Sequence, residues 1–394
     1  MSRKLIMATL ALTIAVTSTI FLWRSTKTTP KEIVREPTVL PIVEPVGARL
    51  VTTEKFKQYV GAETCKACHK DIYKKQTSSN HAASLRPMER KYLPSNFLPG
   101  PYKEKGFEES GRNPPVRIYY YEKGGKFYCD VIDPTFKKTI NIDFILGSGQ
   151  HGISFTSFLP EPDAEKLIEF RHSYLTPENR WDYTPGHRQI APSLMPGQVL
   201  NEVAGIQCLL CHSTVGTYVQ DHVSVPQSFM GVTCEACHGP GQNHIKAVSS
   251  EQSDRQIDHP GSWEARRINN LCGRCHGTEE VARIGDKSFD ATADSGGRHA
   301  PFDLMRSACF QKSPMGISCI TCHDPHTNVN TDERHYVQQC LKCHSEPKAQ
   351  QTCPVNPKDK CIGCHMPPGT VGDFQMVFTD HWIRTPSPGK PPVE

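Results

Sequence analysis

The sequence is short of hydrophobic residues and has no concentrated charge. Only 37% of its 394 residues are hydrophobic, although this length would ordinarily suggest two or three domains with side-chain cores. The 45 lysines and arginines nearly balance the 41 acidic residues and are dispersed, so nothing indicates nucleic-acid binding. Proline and glycine are frequent, at 32 and 28 residues. These numbers favour short elements and loops around an interior that side chains alone do not fill.

Cysteine, in contrast, is plentiful and strictly patterned. Seven copies of Cys-x-x-Cys-His contain all but three of the 17 cysteines, and this pattern is the attachment site of c-type haem. Both thiols bind the porphyrin, and the histidine becomes the proximal ligand of the iron. The cysteines are Cys65, Cys68, Cys208, Cys211, Cys234, Cys237, Cys272, Cys275, Cys319, Cys322, Cys340, Cys343, Cys361 and Cys364, and the histidines are His69, His212, His238, His276, His323, His344 and His365.

Two other kinds of CxxC site explain this pattern less well. Zinc sites pair cysteine with histidine at other spacings, which would leave the following histidine unexplained in every copy. A thioredoxin-like dithiol would occur once. We therefore predict seven covalently bound haem c groups. Because porphyrin replaces side-chain core, a haem-free chain is expected to be unfolded or nearly so.

The N-terminus has the pattern of an export signal. Positive charges in the first four residues precede an uncharged run from Leu5 to Trp23, which is long enough to span a bilayer. We expect residues 1–25 to be an uncleaved single-pass membrane anchor or, alternatively, a cleaved signal peptide. The chain would then lie on the periplasmic side of the bacterial cytoplasmic membrane, or be soluble in the periplasm or secreted.

The motifs are unevenly distributed along the chain. A proline-containing tether at 26–55 leads to a haem domain at 56–384, in which six motifs crowd into 205–384 and a loose tail follows at 385–394. The gap after the first motif contains a β-insert at about 115–147. Aromatic and β-branched runs flank Gly124-Gly125 there and predict a hairpin, followed by a third strand at Lys138–Leu146. The rest reads as short helices.

Eleven histidines lie outside the motifs and supply candidates for the second axial ligand of each iron. The favoured candidates are His81, His222, His244, His299, His326 and His381, and the weaker ones are His151, His187, His172, His259 and His335. Three cysteines also lie outside the motifs. We predict a Cys309–Cys353 disulfide because the compartment is oxidising, and we expect Cys129 to be buried in the β-insert as a small apolar residue.

The order of these motifs resembles the cytochrome c-554 type of multihaem cytochrome. The resemblance rests on YVGAETCKACH, SSNHAAS, GVTCEACHGPGQNH, CGRCH, SCITCHDPH, CLKCH and CIGCHMPP, and covers about Tyr59–Arg384. It implies a mainly α, loop-rich fold organised around stacked haems, mostly with two histidine ligands each, with His81, His244, His326 and His381 as distal ligands. The same superfamily includes pentahaem nitrite reductases and octahaem hydroxylamine oxidoreductases. Seven motifs and the β-insert depart from both the tetrahaem carrier and the octahaem enzyme.

Two classes of function follow. The first is electron transfer along closed, bis-histidine irons between redox partner proteins, with a quinol-linked membrane complex as donor and a periplasmic acceptor. The second is an oxidoreductase in which one open iron acts on a small nitrogen or sulfur compound such as nitrite or hydroxylamine. His151, Tyr183, His187 and Arg188, from the segment between the first two motifs, would supply the polar groups of its pocket. The sequence does not decide the oligomeric state.

Overall fold

The computed structural model describes residues 49–95, 97, 106–109, 113–160, 162–164, 166–219, 222–278, 299–313, 316–345, 353–356, 358–370 and 377–386. The chain divides into two compact units, Met1–Val43 and Glu44–Glu394, and every described residue belongs to the second. The predicted anchor, most of the tether and most of the tail therefore lie outside the described residues.

The predicted membrane anchor needs correction. Within the described ranges, no helix is both long and apolar enough to cross a bilayer. The longest helices there have 12 residues, about 18 Å of rise, whereas the hydrocarbon core of a bilayer is about 30 Å thick. A single-pass anchor is thus unsupported, and the run from Leu5 to Trp23 on which it was predicted lies outside the described part.

The segment between the first two motifs folds largely as antiparallel sheet. Strands β3 (Phe107–Glu109), β4 (Val116–Lys123), β5 (Lys126–Asp133) and β6 (Phe136–Ile142) form one four-stranded sheet in chain order. The hairpin β4–β5 turns at Gly124 and Gly125, which have φ values of +60° and +74°. Both glycines adopt the left-handed conformation that a two-residue hairpin turn requires. The predicted hairpin is therefore present.

A second sheet packs against the first. It has five strands in the order β12 (Gly197–Leu200), β9 (Leu167–Phe170), β8 (Ser154–Phe158), β7 (Phe144–Leu146) and β2 (Leu85–Pro87), and a separate hairpin pairs β10 (His172–Leu175) with β11 (Arg180–Tyr183). Alternate residues of β4 and β5 point into one shared hydrophobic core, as the period-2 pattern of a strand requires. Its members include Ile118, Phe127, Val131, Phe155, Phe170 and Trp181. We call residues 85–200 the strand region.

The predicted mainly α fold with a small β-insert is wrong. The described part of the chain contains sixteen strands in five sheets, and the insert is a strand region with its own core. The sequence reading found only the longer strands, because β7 to β12 have three to five residues each and such short apolar runs carry little periodicity.

The remaining described residues form short helices and two small sheets. The helices are α1 (Thr53–Phe56), α2 (Ala62–Cys65), α3 (Lys70–Thr77), α4 (Glu202–Cys211), α5 (Cys234–His238), α6 (Gln242–Ser249), α7 (Ala265–His276), α8 (Ala300–Arg306), α9 (Ala308–Lys312), α10 (Cys319–Cys322), α11 (Glu333–His344) and α12 (Cys361–His365). The sheets are β1 (Arg49–Val51) with β13 (Val215–Val219) and β14 (His222–Ser224), and β15 (Pro368–Thr370) with β16 (Val377–Thr379). Helix α4 joins the strand region through a cluster that includes Leu85, Leu167 and Leu209.

Candidate haem-binding sites

All seven Cys-x-x-Cys-His motifs lie in the described part of the chain, and each is at least partly helical. Motifs four and six end the two longest helices, α7 and α11, and motifs three and seven make up α5 and α12 entirely. Helical residues three or four apart lie on one face. In these four motifs a single turn therefore presents both thiols and the following imidazole on the same side, which is the arrangement that thioether attachment and proximal ligation require.

Four motif histidines face a second histidine that is distant in the sequence. The ring centroids of His69 and His244 are 6.3 Å apart, and those of His81 and His276 are 5.9 Å apart. The other two pairs are His238 with His326 at 6.3 Å and His323 with His381 at 6.2 Å.

These separations fit a metal ion between the two rings. Imidazoles that bind one metal from opposite sides have centroids about 6 Å apart, since each metal–nitrogen bond is about 2.0 Å and each ring adds about 1.1 Å. No hydrogen bond joins the two rings of any of the four pairs, all of which are described residues. The donor set, two imidazoles beside two thiols, is that of a bis-histidine haem c.

Hydrogen bonds fix the orientation of several of these rings. The Nδ1 atoms of His238 and His244 donate to the backbone carbonyls of Asp258 and Arg255, at 2.9 and 2.7 Å. Nδ1 of His381 contacts the Thr379 carbonyl at 2.9 Å. Such a bond assigns the proton to Nδ1 and leaves Nε2 free to bind a metal.

Two of the other three motif histidines are oriented in the same way. Nδ1 of His212 donates to the Ser84 carbonyl at 3.0 Å, and Nδ1 of His365 donates to the Arg384 carbonyl at 2.9 Å. Their Nε2 atoms are therefore also unprotonated and free to bind a metal. His326 differs, because its Nδ1 contacts a carboxylate oxygen of Asp324 at 3.0 Å.

Burial favours the neutral form of four of the paired imidazoles, which is the form that binds metals. It lowers the pKa of His276 to about 4, and the nearby His81 adds to this effect. Burial also lowers the pKa of His238, His323 and His381.

Thiols of different motifs lie next to each other. Cys65 of the first motif donates a hydrogen bond to Cys234 of the third, which lowers the pKa of Cys234 to about 7. Equivalent thiol contacts join the second motif to the fourth, the fourth to the fifth, and the sixth to the seventh, through Cys211–Cys275, Cys272–Cys319 and Cys340–Cys361. The attachment edges of neighbouring sites therefore meet.

The other predicted distal ligands are placed differently. His222 begins β14, and its side chain lies outside the described part. His299 lies beside the fourth motif, since a Cβ atom on Gly277 would come within 2.3 Å of its Nδ1. His335 is exposed and packs edge-on against Tyr336. His259 lies near His238, whose pKa it helps to lower after the larger effect of burial.

Of the four predicted pocket residues, the structure brings two into contact, since the Arg188 guanidinium lies 4.8 Å from the centroid of the Tyr183 ring. His151 is exposed. Tyr183 donates to Glu109 at 3.2 Å, whereas Arg188 pairs with Asp182 at 2.7 Å. His187 is buried, and its Nε2 lies 3.1 Å from Glu169.

A buried ionic cluster in the strand region was missed by the sequence reading. Glu109 is 2% exposed and lies 2.9 Å from Nε of Arg171 and 3.2 Å from Nε2 of His172. Burial acts to raise the pKa of Glu109, but His172 and Arg171 together outweigh it and lower that pKa. The three residues come from β3 and from the start of β10, which no local sequence signal brings together.

The three cysteines outside the motifs are free thiols. The predicted Cys309–Cys353 disulfide is therefore wrong, since neither residue is bonded. Cys129 lies on β5 at 0% exposure, as predicted, among the hydrophobic side chains of the strand region. Burial raises the pKa of its thiol well above the ordinary value.

Comparison with known proteins gives three similarities. Residues 187–239 match the family described as cytochrome c554 and c-prime. The multiheme cytochrome MtrA of Shewanella baltica is 25% identical over 187 residues, which covers 38% of this chain and only 56% of MtrA. The crystal structure of the outer cell wall cytochrome OcwA has a TM-score of 0.50 at 16% identity, over 83% of this chain and 80% of that chain.

The family match and the similarity to MtrA indicate that the chain resembles multihaem c-type cytochromes. The likeness to OcwA shows the fold alone, and that fold agrees with the mixed strand and helix content described above. None of the three supports a specific relation to nitrite or hydroxylamine enzymes.

Proposed function

We propose that the chain holds seven haem c groups, most of them between two histidines, and transfers electrons along them outside the cytoplasm. The observation that carries this proposal is the set of four histidine pairs at 5.9–6.3 Å. When bound, the haem irons would supply reversible one-electron oxidation and reduction. The chain would supply the axial nitrogens and the order of the sites.

In this proposal each pair joins a motif to a distal histidine from another part of the chain. His244 would complete the first site, His326 the third, His81 the fourth and His381 the fifth. An iron held by two histidines has no free position for a substrate, so such sites suit electron transfer rather than chemistry on a bound molecule. His222 and His299 remain our candidates for the other sites.

Contacts between motifs support a continuous row of sites. Besides the thiol contacts above, Cys237 of the third motif lies close to Cys272 of the fourth. Burial raises the pKa of Cys237 to about 11, and the nearby Cys272 adds to this rise. Helices α10 and α11 bring the fifth motif to the sixth. The row would run through motifs one, three, four, five, six and seven, with motif two beside motif four. Such a row suits transfer between two redox partner proteins.

The test is to remove one distal histidine from the haem-loaded protein. His326→Ala should convert one of the low-spin irons to high-spin in the EPR spectrum of the oxidised protein. It should also create one carbon monoxide site in the reduced protein. His151→Ala is the control, because His151 is exposed and in no pair. If His326→Ala leaves every iron low-spin, the ligand assignment is wrong, and a haem content other than seven per chain would contradict the count.

One observation favours a second candidate function, an oxidoreductase for a small nitrogen or sulfur compound. Among described residues no ring faces His212, and the pair formed by buried His187 and half-buried Glu169 lies beside this motif. Burial raises the pKa of Cys208 to about 11, and the Glu169 carboxylate, paired with His187, adds to the rise. These groups could exchange protons next to the second site. Carbon monoxide binding to the unmodified reduced protein would favour this candidate, and its absence would favour the electron carrier.

A further inference from the structure

Glu235 is a buried carboxylate without a cationic partner. It is the second residue of the third motif, and only 3% of its surface is exposed. No lysine, arginine or histidine in the described part of the chain forms a salt bridge with it. A carboxylate in such a place ordinarily needs a cation or several hydrogen-bond donors, because desolvating a charge is costly.

Three backbone N–H groups take the place of the cation. Two belong to a segment far away in the sequence, and the third lies six residues after Glu235. Val60 and Gly61 donate to the Glu235 carboxylate at 3.0 and 2.8 Å. Gly241 donates to it at 2.7 Å. A group that only accepts hydrogen bonds is an ionised carboxylate, and bonds of this length to a charged acceptor are the strong ones.

The two donor segments lead directly to the two imidazoles of one proposed site. Gly61 precedes α2 and hence the first motif with His69, and Gly241 precedes α6, which carries His244. Gly61 has a φ of +79°, a backbone conformation that glycine adopts more readily than other residues. The junction is tight, because a Cβ on Gly241 would lie 2.9 Å from Cγ2 of Val60 and 3.3 Å from Oε1 of Glu235.

The charge of Glu235 reaches both adjacent motifs. The pKa of Cys65 is raised by its hydrogen bond to Cys234, by burial, and further by the Glu235 carboxylate. The same carboxylate acts to raise the pKa of Cys234, against the larger lowering effect of Cys65. A negative charge felt at both thiols would also favour the oxidised form of the iron in a haem attached through them, since electrostatic interactions are strong away from water.

We propose that Glu235 is the positioning residue of the first site: it holds His69 and His244 on opposite sides of one haem. We also propose that its buried charge lowers the reduction potentials of the first and third haems. This inference rests on the ligand assignment proposed above.

Two substitutions in the haem-loaded protein separate the effect of the Glu235 charge from the effect of its side-chain length. E235Q keeps the length of the side chain and removes its charge, so it should raise two of the seven reduction potentials in an optically monitored potentiometric titration. E235D keeps the charge but is one methylene shorter, so the potentials should stay near their original values. E63Q is the control, because Glu63 also lies next to the first motif but is exposed and paired with Lys66. Unchanged potentials in E235Q would overturn the electrostatic part.

The positioning part is tested by G241A, which keeps the Glu235 side chain and its charge but crowds both Val60 and the carboxylate. It should change the EPR signal of one low-spin iron, and an unchanged spectrum would overturn this part. H244A distinguishes the two proposals. If H244A leaves every iron low-spin, the ligand assignment fails and this inference fails with it. If H244A opens one iron while E235Q and G241A change nothing, only the role of Glu235 is wrong.

Discussion

The strand region and the motif-bearing helices form their interiors in different ways. Residues 85–200 pack Phe97, Ile118, Phe155, Phe170 and Trp181 into one core whose side chains are at most a few per cent exposed. Beyond residue 240, the described helices bury few apolar residues, such as Ile268, Phe302 and Val337, and these belong to no hydrophobic cluster among the described residues. The comparison indicates that the strand region can fold on hydrocarbon alone, whereas the motif-bearing helices need the cofactor as their interior.

The two regions also treat buried charge differently. In the strand region Glu109 is matched by Arg171 and His172, so the charges balance locally. In the third motif Glu235 has only backbone donors. Removing one partner of a matched buried cluster is costly because it leaves a buried charge uncompensated. A buried charge with no ionic partner acts on the groups that lie beside it. This contrast suggests that polar groups of the strand region serve the fold and that those near the motifs serve the cofactors.

Removing the haems should give the largest effect and test the comparison directly. We expect the chain produced without haem attachment to keep slow amide hydrogen exchange in the strand region. Exchange should become fast in α7, α10 and α11, which have lost their interior. Hydrogen exchange with mass spectrometry measures both regions in one sample. Fast exchange in both would show that the strand core depends on the haem sites too.

Glu109→Gln should give an intermediate effect confined to the strand region. Leaving Arg171 without its buried partner should cost about 3 kcal/mol of unfolding free energy. The haem absorption spectrum should stay unchanged. Glu108→Gln is the matched control, because the neighbouring Glu108 pairs with Arg117 at the surface, where such a pair contributes less than about 1 kcal/mol. Denaturant unfolding followed by tryptophan fluorescence measures both variants, and equal losses would contradict the role of burial.

Lowering the pH should give the smallest effect. Burial lowers the pKa of His172 below its ordinary value of 6.5, against the opposing Glu109 carboxylate. Below about pH 6.5 the unfolded chain therefore binds a proton that the folded chain does not, so stability falls as the pH decreases. His172→Gln removes this proton-binding group, so the free energy of unfolding should decrease less between pH 7 and pH 5. An identical pH profile for both proteins would show that other groups govern it.

Local pattern was sufficient to predict the longest hairpin, which the structure contains, and to propose the haem attachment sites. A Cys-x-x-Cys-His motif occupies about one helical turn, so all the residues that it needs lie next to one another in the sequence. The hairpin around Gly124 and Gly125 was predictable because its two strands have eight residues each and alternate clearly. The full extent of the strand region was not predictable, because its later strands are too short to show a clear alternation of apolar and polar residues. The disulfide prediction failed because spacing says nothing of the distance between Cys309 and Cys353.

The sequence by itself determined which cysteines and histidines are proposed to hold the cofactors, since thioether attachment and proximal ligation need only neighbours along the chain. It also named His81, His244, His326 and His381 as candidates. Only the tertiary structure decided which motif each of them faces: His81 meets His276, and His326 meets the earlier His238. It alone revealed that Glu235 reaches Gly61, 174 positions away. The physical reason is that an axial ligand or a buried charge acts through space over a few ångströms, and chain order does not encode which segments come that close.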